Sequence, residues 1–171
     1  MTSSAPTPAS ASAPIRLEEG TLAPDFTLLD QHGEPFTLSR LRGGKVILYF
    51  YGEAGTPACT GQACDFRDRL GDFTAEGYRV VGVSRDEVPA IAKMAREEHL
   101  DFPLLADPER IAHGLYGTFG EKQLYGRTVQ GVIRATFVID AAGVIERAFY
   151  NIKATGHVAM LRKRLGLAAP R

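Results

Sequence analysis

The chain has no tryptophan, only two cysteines among 171 residues, and no net charge, with Lys plus Arg equal to Asp plus Glu at 20 each. Charge balance removes any net electrostatic pull toward phosphate backbones or anionic lipid, so neither nucleic acid nor a membrane is expected as a partner. The Arg162-Lys163-Arg164 run fits the end of a helix, where cations complement the dipole. No apolar run approaches the length of a membrane span. The first residues also lack the basic start and continuous apolar core of a secretory signal. A cytoplasmic location is therefore expected, and in that compartment paired cysteines are more often catalytic than structural. His32, His99, His113 and His157 have no metal-ligand spacing with one another or with the cysteines, so no metal or other cofactor is expected. Gly114, Gly117 and Gly120 are evenly spaced but sit in no phosphate-loop pattern, and they are read as turns.

What is present is concentrated around the two cysteines. An apolar run over residues 45–51 leads through Gly52-Glu-Ala-Gly-Thr56-Pro57-Ala to Cys59, and Cys64 follows five positions later. A buried strand feeding a Thr-Pro turn and then a helix puts Cys59 in the helix's first turn. There the unpaired backbone N–H groups and the macrodipole favour an anion, and a thiolate is easiest to make. On an ideal helix, residues i and i+5 lie about 7.5 Å apart along the axis and roughly 140° apart around it, about 8.6 Å between Cα atoms. A disulfide tolerates no more than roughly 7 Å. The spacing thus describes a switch between a folded dithiol and a disulfide whose helix start has unwound, rather than a structural staple.

Thr56-Pro57-Ala58-Cys59-Thr60, the trailing Gln62-Ala63-Cys64, the opening Ala23-Pro24-Asp25-Phe26 and the later Arg134-Ala-Thr-Phe-Val-Ile-Asp140 occur in an order and spacing that is specific. Together they resemble a peroxiredoxin of the bacterioferritin comigratory protein, or peroxiredoxin Q, type. Gly120-Glu121-Lys122 with Tyr125-Gly126-Arg127 adds to the resemblance, which runs from about residue 20 to about residue 165. It implies a thioredoxin fold and a thiol-dependent peroxidase acting on hydrogen peroxide and organic hydroperoxides. In that family Cys59 and Cys64 match the peroxidatic and resolving cysteines, and Thr56 and Arg134 match the other catalytic positions. A thioredoxin- or glutaredoxin-like protein would reset the disulfide, and a monomer is expected. Pro57 shapes the turn and at a helix start gives up no needed hydrogen bond. The departure is Gly52, which stands where the family has a proline and implies a looser pocket with an easier path to the unwound disulfide form.

A low thiol pKa alone would supply little rate. Lowering a thiol from about 8.5 to about 6 raises its thiolate fraction at pH 7 about 30-fold. Lost nucleophilicity along a Brønsted slope of about 0.4 to 0.5 removes roughly 10- to 15-fold of that gain. Groups that grip the peroxide as the O–O bond breaks are needed, and Thr56, the Cys59 N–H and Arg134 are the candidates. Thr56 is equally suited to be a plain helix N-cap, and Arg134 to be a solvent-facing strand residue. Two other functions stay open: a thiol-disulfide oxidoreductase, whose usual signature separates its cysteines by two residues, and a redox sensor or holdase chaperone.

For the rest of the chain, 44% hydrophobic content in 171 residues suits one compact domain. Residues 1–16 form an Ala/Ser/Thr/Pro tail expected to be disordered, residues 17–167 the domain, and residues 168–171 a C-terminal tail. A β-hairpin is expected over residues 26–38, strands over 45–51 and 78–84, and a cysteine-bearing helix to about residue 75. A helix over 87–99, a short strand over 102–105, strands over 133–139 and 144–149, and a helix from 155 or 156 to 165 complete the order. That alternation describes an α/β architecture, a central mixed sheet flanked by helices with an N-terminal β-hairpin.

Overall fold

The computed structural model describes residues 16–124 and 126–167. The expected tails over 1–15 and 168–171, and Tyr125 of the motif quoted above, lie outside the described residues.

A run of β-branched and aromatic side chains with no polar alternation requires burial on both faces, and two strands meet that description. β3 (Lys45–Phe50) and β4 (Tyr78–Ser84) pair in parallel at the centre of a seven-stranded sheet. β5 (Leu104–Ala106) continues the parallel set, and β1 (Thr27–Asp30) and β2 (Pro35–Thr37) add the antiparallel N-terminal hairpin beyond it. On the other side β8 (Ala135–Ile139) pairs antiparallel with β3, and β9 (Ile145–Tyr150) closes the edge, giving the order β2-β1-β5-β4-β3-β8-β9.

The pleat divides the core. Ile47, Tyr49 and Tyr51 face helices α1 (Pro57–Asp68), α2 (Leu70–Ala75), α3 (Val88–Glu97) and α5 (His157–Arg164), meeting Phe66, Phe73, Ile91 and Leu161. Val46, Leu48 and Phe50 face the other way, toward α4 (Ile111–Tyr116), Phe137 and Ile145. Gly82 sits in the middle of β4 because a Cβ there would lie 2.9 Å from the Tyr49 ring and 3.0 Å from Leu104 Cδ2. Tyr49 in turn stacks on Phe66 at 4.5 Å between centroids, which fastens the second half of α1 to the central strand.

Several expectations change. The cysteine helix does not run to residue 75: it breaks at Arg69, whose φ of −111° and ψ of 8° leave the helical range, and nothing in the local sequence marks the break. Of the three glycines read as turns, only Gly117 is one, with φ 67° at the end of α4. Gly114 is helical and Gly120 lies in β6 (Phe119–Leu124), which forms a separate hairpin with β7 (Arg127–Val132). Helix α4 holds because the Asp107 carboxylate accepts the Ile111 and His113 N–H groups at 2.7 and 2.9 Å, satisfying donors that a helix start leaves open. The strand expected over 133–139 starts only at Ala135. Ile133 donates its N–H to Thr118 while the Arg134 carbonyl accepts from Ile152, so the chain passes between two ladders there.

Helix α5 docks through a polar contact. His157 Nε2 lies 2.7 Å from Thr136 Oγ1 of β8, with both residues buried. Burial and the nearby Arg134 guanidinium hold the imidazole neutral, lowering its pKa from the ordinary 6.5 to about 4. Between pH 6.5 and 4 the unfolded chain therefore binds the extra proton and the folded one does not. Stability is full above this window and falls by about 3 kcal/mol as pH drops through it. His157→Asn should remove this contribution to acid sensitivity: the loss of unfolding free energy between pH 7 and pH 4.5, measured by urea titration, should be clearly smaller in the variant than in the parent.

Candidate active site

The site begins where β3 ends. Tyr51 donates its N–H to the Val83 carbonyl at 3.0 Å, so the chain leaves the sheet beside the end of β4. Asp86, just past β4, accepts the Ala54 N–H at 2.7 Å and the Ser84 hydroxyl at 2.9 Å, pinning the loop over residues 52–56. Gly55, at φ 86°, makes the turn into the helix. Pro57 is the first helical residue, where its missing N–H costs nothing. The first helical bond runs from the Thr60 N–H to the Thr56 carbonyl, 2.8 Å, and the N–H groups of Ala58 and Cys59 lie ahead of that ladder.

Cys59 is 1% exposed and its sulfur is held by two donors. Arg134 Nη2 donates to Sγ at 2.9 Å, and the Glu53 backbone N–H donates at 3.4 Å. The guanidinium is oriented by its other arm, since Nη1 donates to Gln62 Oε1 at 3.0 Å. Gln62 is itself 1% exposed, one helical turn after Cys59 and on the same face. A guanidinium fork fixed on a sulfur at a helix start supplies that sulfur with a directed cationic donor.

Thr56 takes the N-cap position in backbone terms, with φ −73° and ψ 149°, but its side chain caps nothing. Its hydroxyl donates to the Glu53 carbonyl at 2.8 Å, so the expected approach to the sulfur is not made through that proton. With its proton committed, the oxygen presents lone pairs, which suits it to accept from an O–H. Gly52 does line the site: a Cβ there would lie 3.7 Å from Arg134 Nη2 and 3.8 Å from Cys59 Sγ, ordinary contact distances. Gly52, Thr56 and Arg134 are each part-buried.

Cys64 does not join this group. Both cysteines are free, and helix α1 runs unbroken through both. Cys64 Sγ instead donates to Glu98 Oε2 at 3.2 Å, at the end of α3. Burial, together with that hydrogen bond, pushes the Cys64 thiol above its ordinary pKa. Sequence reading therefore anticipated Arg134 and Gly52 beside Cys59, Thr56 at the helix start and Cys64 on the same helix. It assigned no role to Gln62, whose i+3 spacing from Cys59 was available as a signal, nor to the Glu53 N–H and Asp86, for which no side-chain pattern exists.

Known proteins resemble this chain in sequence and in fold. The AhpC/TSA family profile matches residues 20–148. A Mycobacterium tuberculosis (strain H37Rv) protein named as a peroxiredoxin is 55% identical over 152 residues, covering 89% of this chain and 97% of its own length. Peroxiredoxin Bcp of Escherichia coli K12 is 40% identical over 141 residues, covering 82% of this chain and 90% of that protein. The solved structure of the Xanthomonas campestris bacterioferritin comigratory protein, described for its alkyl peroxide reduction activity, superposes with a TM-score of 0.80 at 28% identity, over 87% of this chain and 98% of that one. With its thioredoxin-like sheet and a helix-borne thiol under an arginine, this chain belongs to the AhpC/TSA family, as a peroxiredoxin of the bacterioferritin comigratory protein (peroxiredoxin Q) type.

Proposed function

We propose that the protein reduces hydrogen peroxide and organic hydroperoxides with Cys59 as the peroxidatic residue and Cys64 as the resolving one. The observation that carries this reading is the 2.9 Å bond from Arg134 Nη2 to the Cys59 sulfur at the start of α1. The Cys59 thiolate attacks the nearer peroxide oxygen. The O–O bond breaks, water or an alcohol leaves, and Cys59 becomes a sulfenic acid. Arg134, held by Gln62, donates to the oxygens as charge grows on the leaving one, and the Cys59 N–H adds a second donor. The Thr56 hydroxyl, its proton spent on Glu53, accepts from the peroxide O–H and so orders the substrate.

Cys64 then attacks the sulfenic sulfur, water leaves, and the disulfide forms as α1 unwinds between the two positions. A thioredoxin- or glutaredoxin-like dithiol protein returns the pair to thiols. The reading places the enzyme in the cytoplasm, where free thiols persist, and has it act as a monomer.

Cys59→Ser should abolish peroxide consumption, whereas Cys64→Ser should consume one equivalent to reach the sulfenic acid and further equivalents only as that acid is carried to higher oxides. Stopped-flow peroxide loss with mass analysis of the product checks both, and the opposite assignment would reverse the two results. Arg134→Ala should slow Cys59 oxidation about 100-fold, the size expected for loss of a preorganised donor. Its effect on the thiolate fraction, followed by absorbance at 240 nm across pH, should be far smaller; equal effects would reduce Arg134 to a counter-charge. A Cβ at Gly52 meets only ordinary contact distances beside the sulfur, and Gly52→Pro should slow disulfide formation by stiffening the loop. If both the peroxide rate and the disulfide rate are unchanged, Gly52 has no part in the pocket's mobility.

A further inference from the structure

The hydrogen bond on Cys64 is opposed to the reaction that Cys64 would perform. Its S–H points to Glu98 Oε2 at 3.2 Å, on a different element from Cys59. Glu98 is well fixed. It caps α3 with its N–H bonded to the Met94 carbonyl at 3.0 Å, and His99 follows at φ 53°, turning the chain so that Leu100 bonds back to Ala95 at 3.0 Å. Arg67, one turn after Cys64, ties the same residue a second time by donating Nη1 to the Glu98 carbonyl at 2.6 Å. Its guanidinium also lies 3.9 Å from Glu98 Oε2 and 3.0 Å from Asp68. Phe66, between Cys64 and Arg67, is stacked on Tyr49. This stretch of α1 is therefore fastened at three successive points to α3 and the sheet, while the helix start carries Cys59.

We infer that Glu98 is a positioning residue for disulfide formation: its carboxylate holds the Cys64 S–H against α3 and keeps α1 wound, so that the oxidised Cys59 waits for this bond to break. The inference rests on the peroxidase reading above. In the step it controls, the Cys64 sulfur forms a bond to the Cys59 sulfur, the S–OH bond breaks, and the Cys64 proton leaves with the hydroxyl as water. That cannot begin while the S–H faces Glu98, because the helical spacing keeps the two Cα atoms about 8.6 Å apart. The carboxylate acts against the reaction twice. It stabilises the protonated thiol by a charge-assisted bond, and it repels the thiolate that attack requires. A long-lived sulfenic acid follows, one that excess peroxide can carry to sulfinic acid before Cys64 arrives.

The test uses the full chain and reads two phases after mixing the reduced protein with peroxide: loss of peroxide, then loss of about 2 mass units as the disulfide forms. Glu98→Ala should leave the first phase unchanged and speed the second about tenfold, the scale of one hydrogen bond to a charged group. It should also yield less sulfinic acid at excess peroxide. Glu98→Gln keeps an oxygen that accepts the S–H but loses the charge, so its second phase should fall between those of the parent and Glu98→Ala, whereas a purely structural role would leave Gln like the parent. A second phase that is slower in Glu98→Ala would make Glu98 a base for Cys64 and overturn the inference, as would an unchanged one. A parent protein that consumes no peroxide would overturn the peroxidase reading itself, and the inference with it.

Discussion

One contact between distant parts of the chain organises the site: the guanidinium of Arg134 on the sulfur of Cys59, 75 positions earlier. For the arginine to arrive there, β8 must pair with β3 so that Ala135 stands opposite Phe50, the last residue of the strand that leads to the cysteine. For the cysteine to be there, the loop after β3 must turn within a few residues into α1, and Asp86 at the end of β4 holds that turn. The three central strands thus act as a jig whose adjacent ends bring together a helix start, a cation and two backbone N–H groups. Burial of the sulfur adds to the effect, since a charge-assisted bond is stronger where water is excluded.

The two cysteines experience opposite surroundings on one helix. Around Cys59 every identified partner is a donor: Arg134 and the Glu53 N–H. Around Cys64 the nearest partner is an acceptor, Glu98, and the thiol's pKa is raised. Such a division suits a thiol that reacts first and another that reacts later, because donors surround one sulfur while an acceptor holds the proton of the other. The cost of joining them is conformational. On the proposed mechanism, separation on a regular helix forbids the bond, so α1 must unwind between the cysteines, while Phe66, stacked on Tyr49, anchors the helix beyond them.

The fold was legible wherever burial on both faces left a continuous apolar run, as in β3 and β4, and wherever punctuation was strong, as at Thr56-Pro57 before α1. It was less legible where elements are short or stabilised by remote partners. Helix α4 depends on the Asp107 carboxylate rather than on periodicity, and the β6–β7 hairpin carries little apolar alternation, so both were passed over in favour of turns at Gly114 and Gly120. The break at Arg69 has no proline to announce it, and Gly71 two residues on is itself helical. In the site, Cys59 is visible from its position at a helix start, but Arg134 came from family resemblance, because a contact spanning 75 positions leaves no local pattern. Glu98, 34 positions from Cys64, is hidden for the same reason. The Thr56 hydroxyl shows a different limit: its residue type is right for an N-cap, yet its oxygen accepts no helix N–H and its proton goes to the Glu53 carbonyl.

Whether Cys59 is a peroxide-reducing thiol decides the rest, and the intact mass of the fully reduced protein, followed from milliseconds to seconds after one equivalent of hydrogen peroxide is added, tests it most directly. A gain of about 16 mass units followed by a net loss of about 2 is predicted, since a sulfenic acid on Cys59 forms first and is then resolved by Cys64 with departure of water. A mass that stays unchanged even in excess peroxide would contradict it, leaving two ordinary thiols on a peroxiredoxin fold.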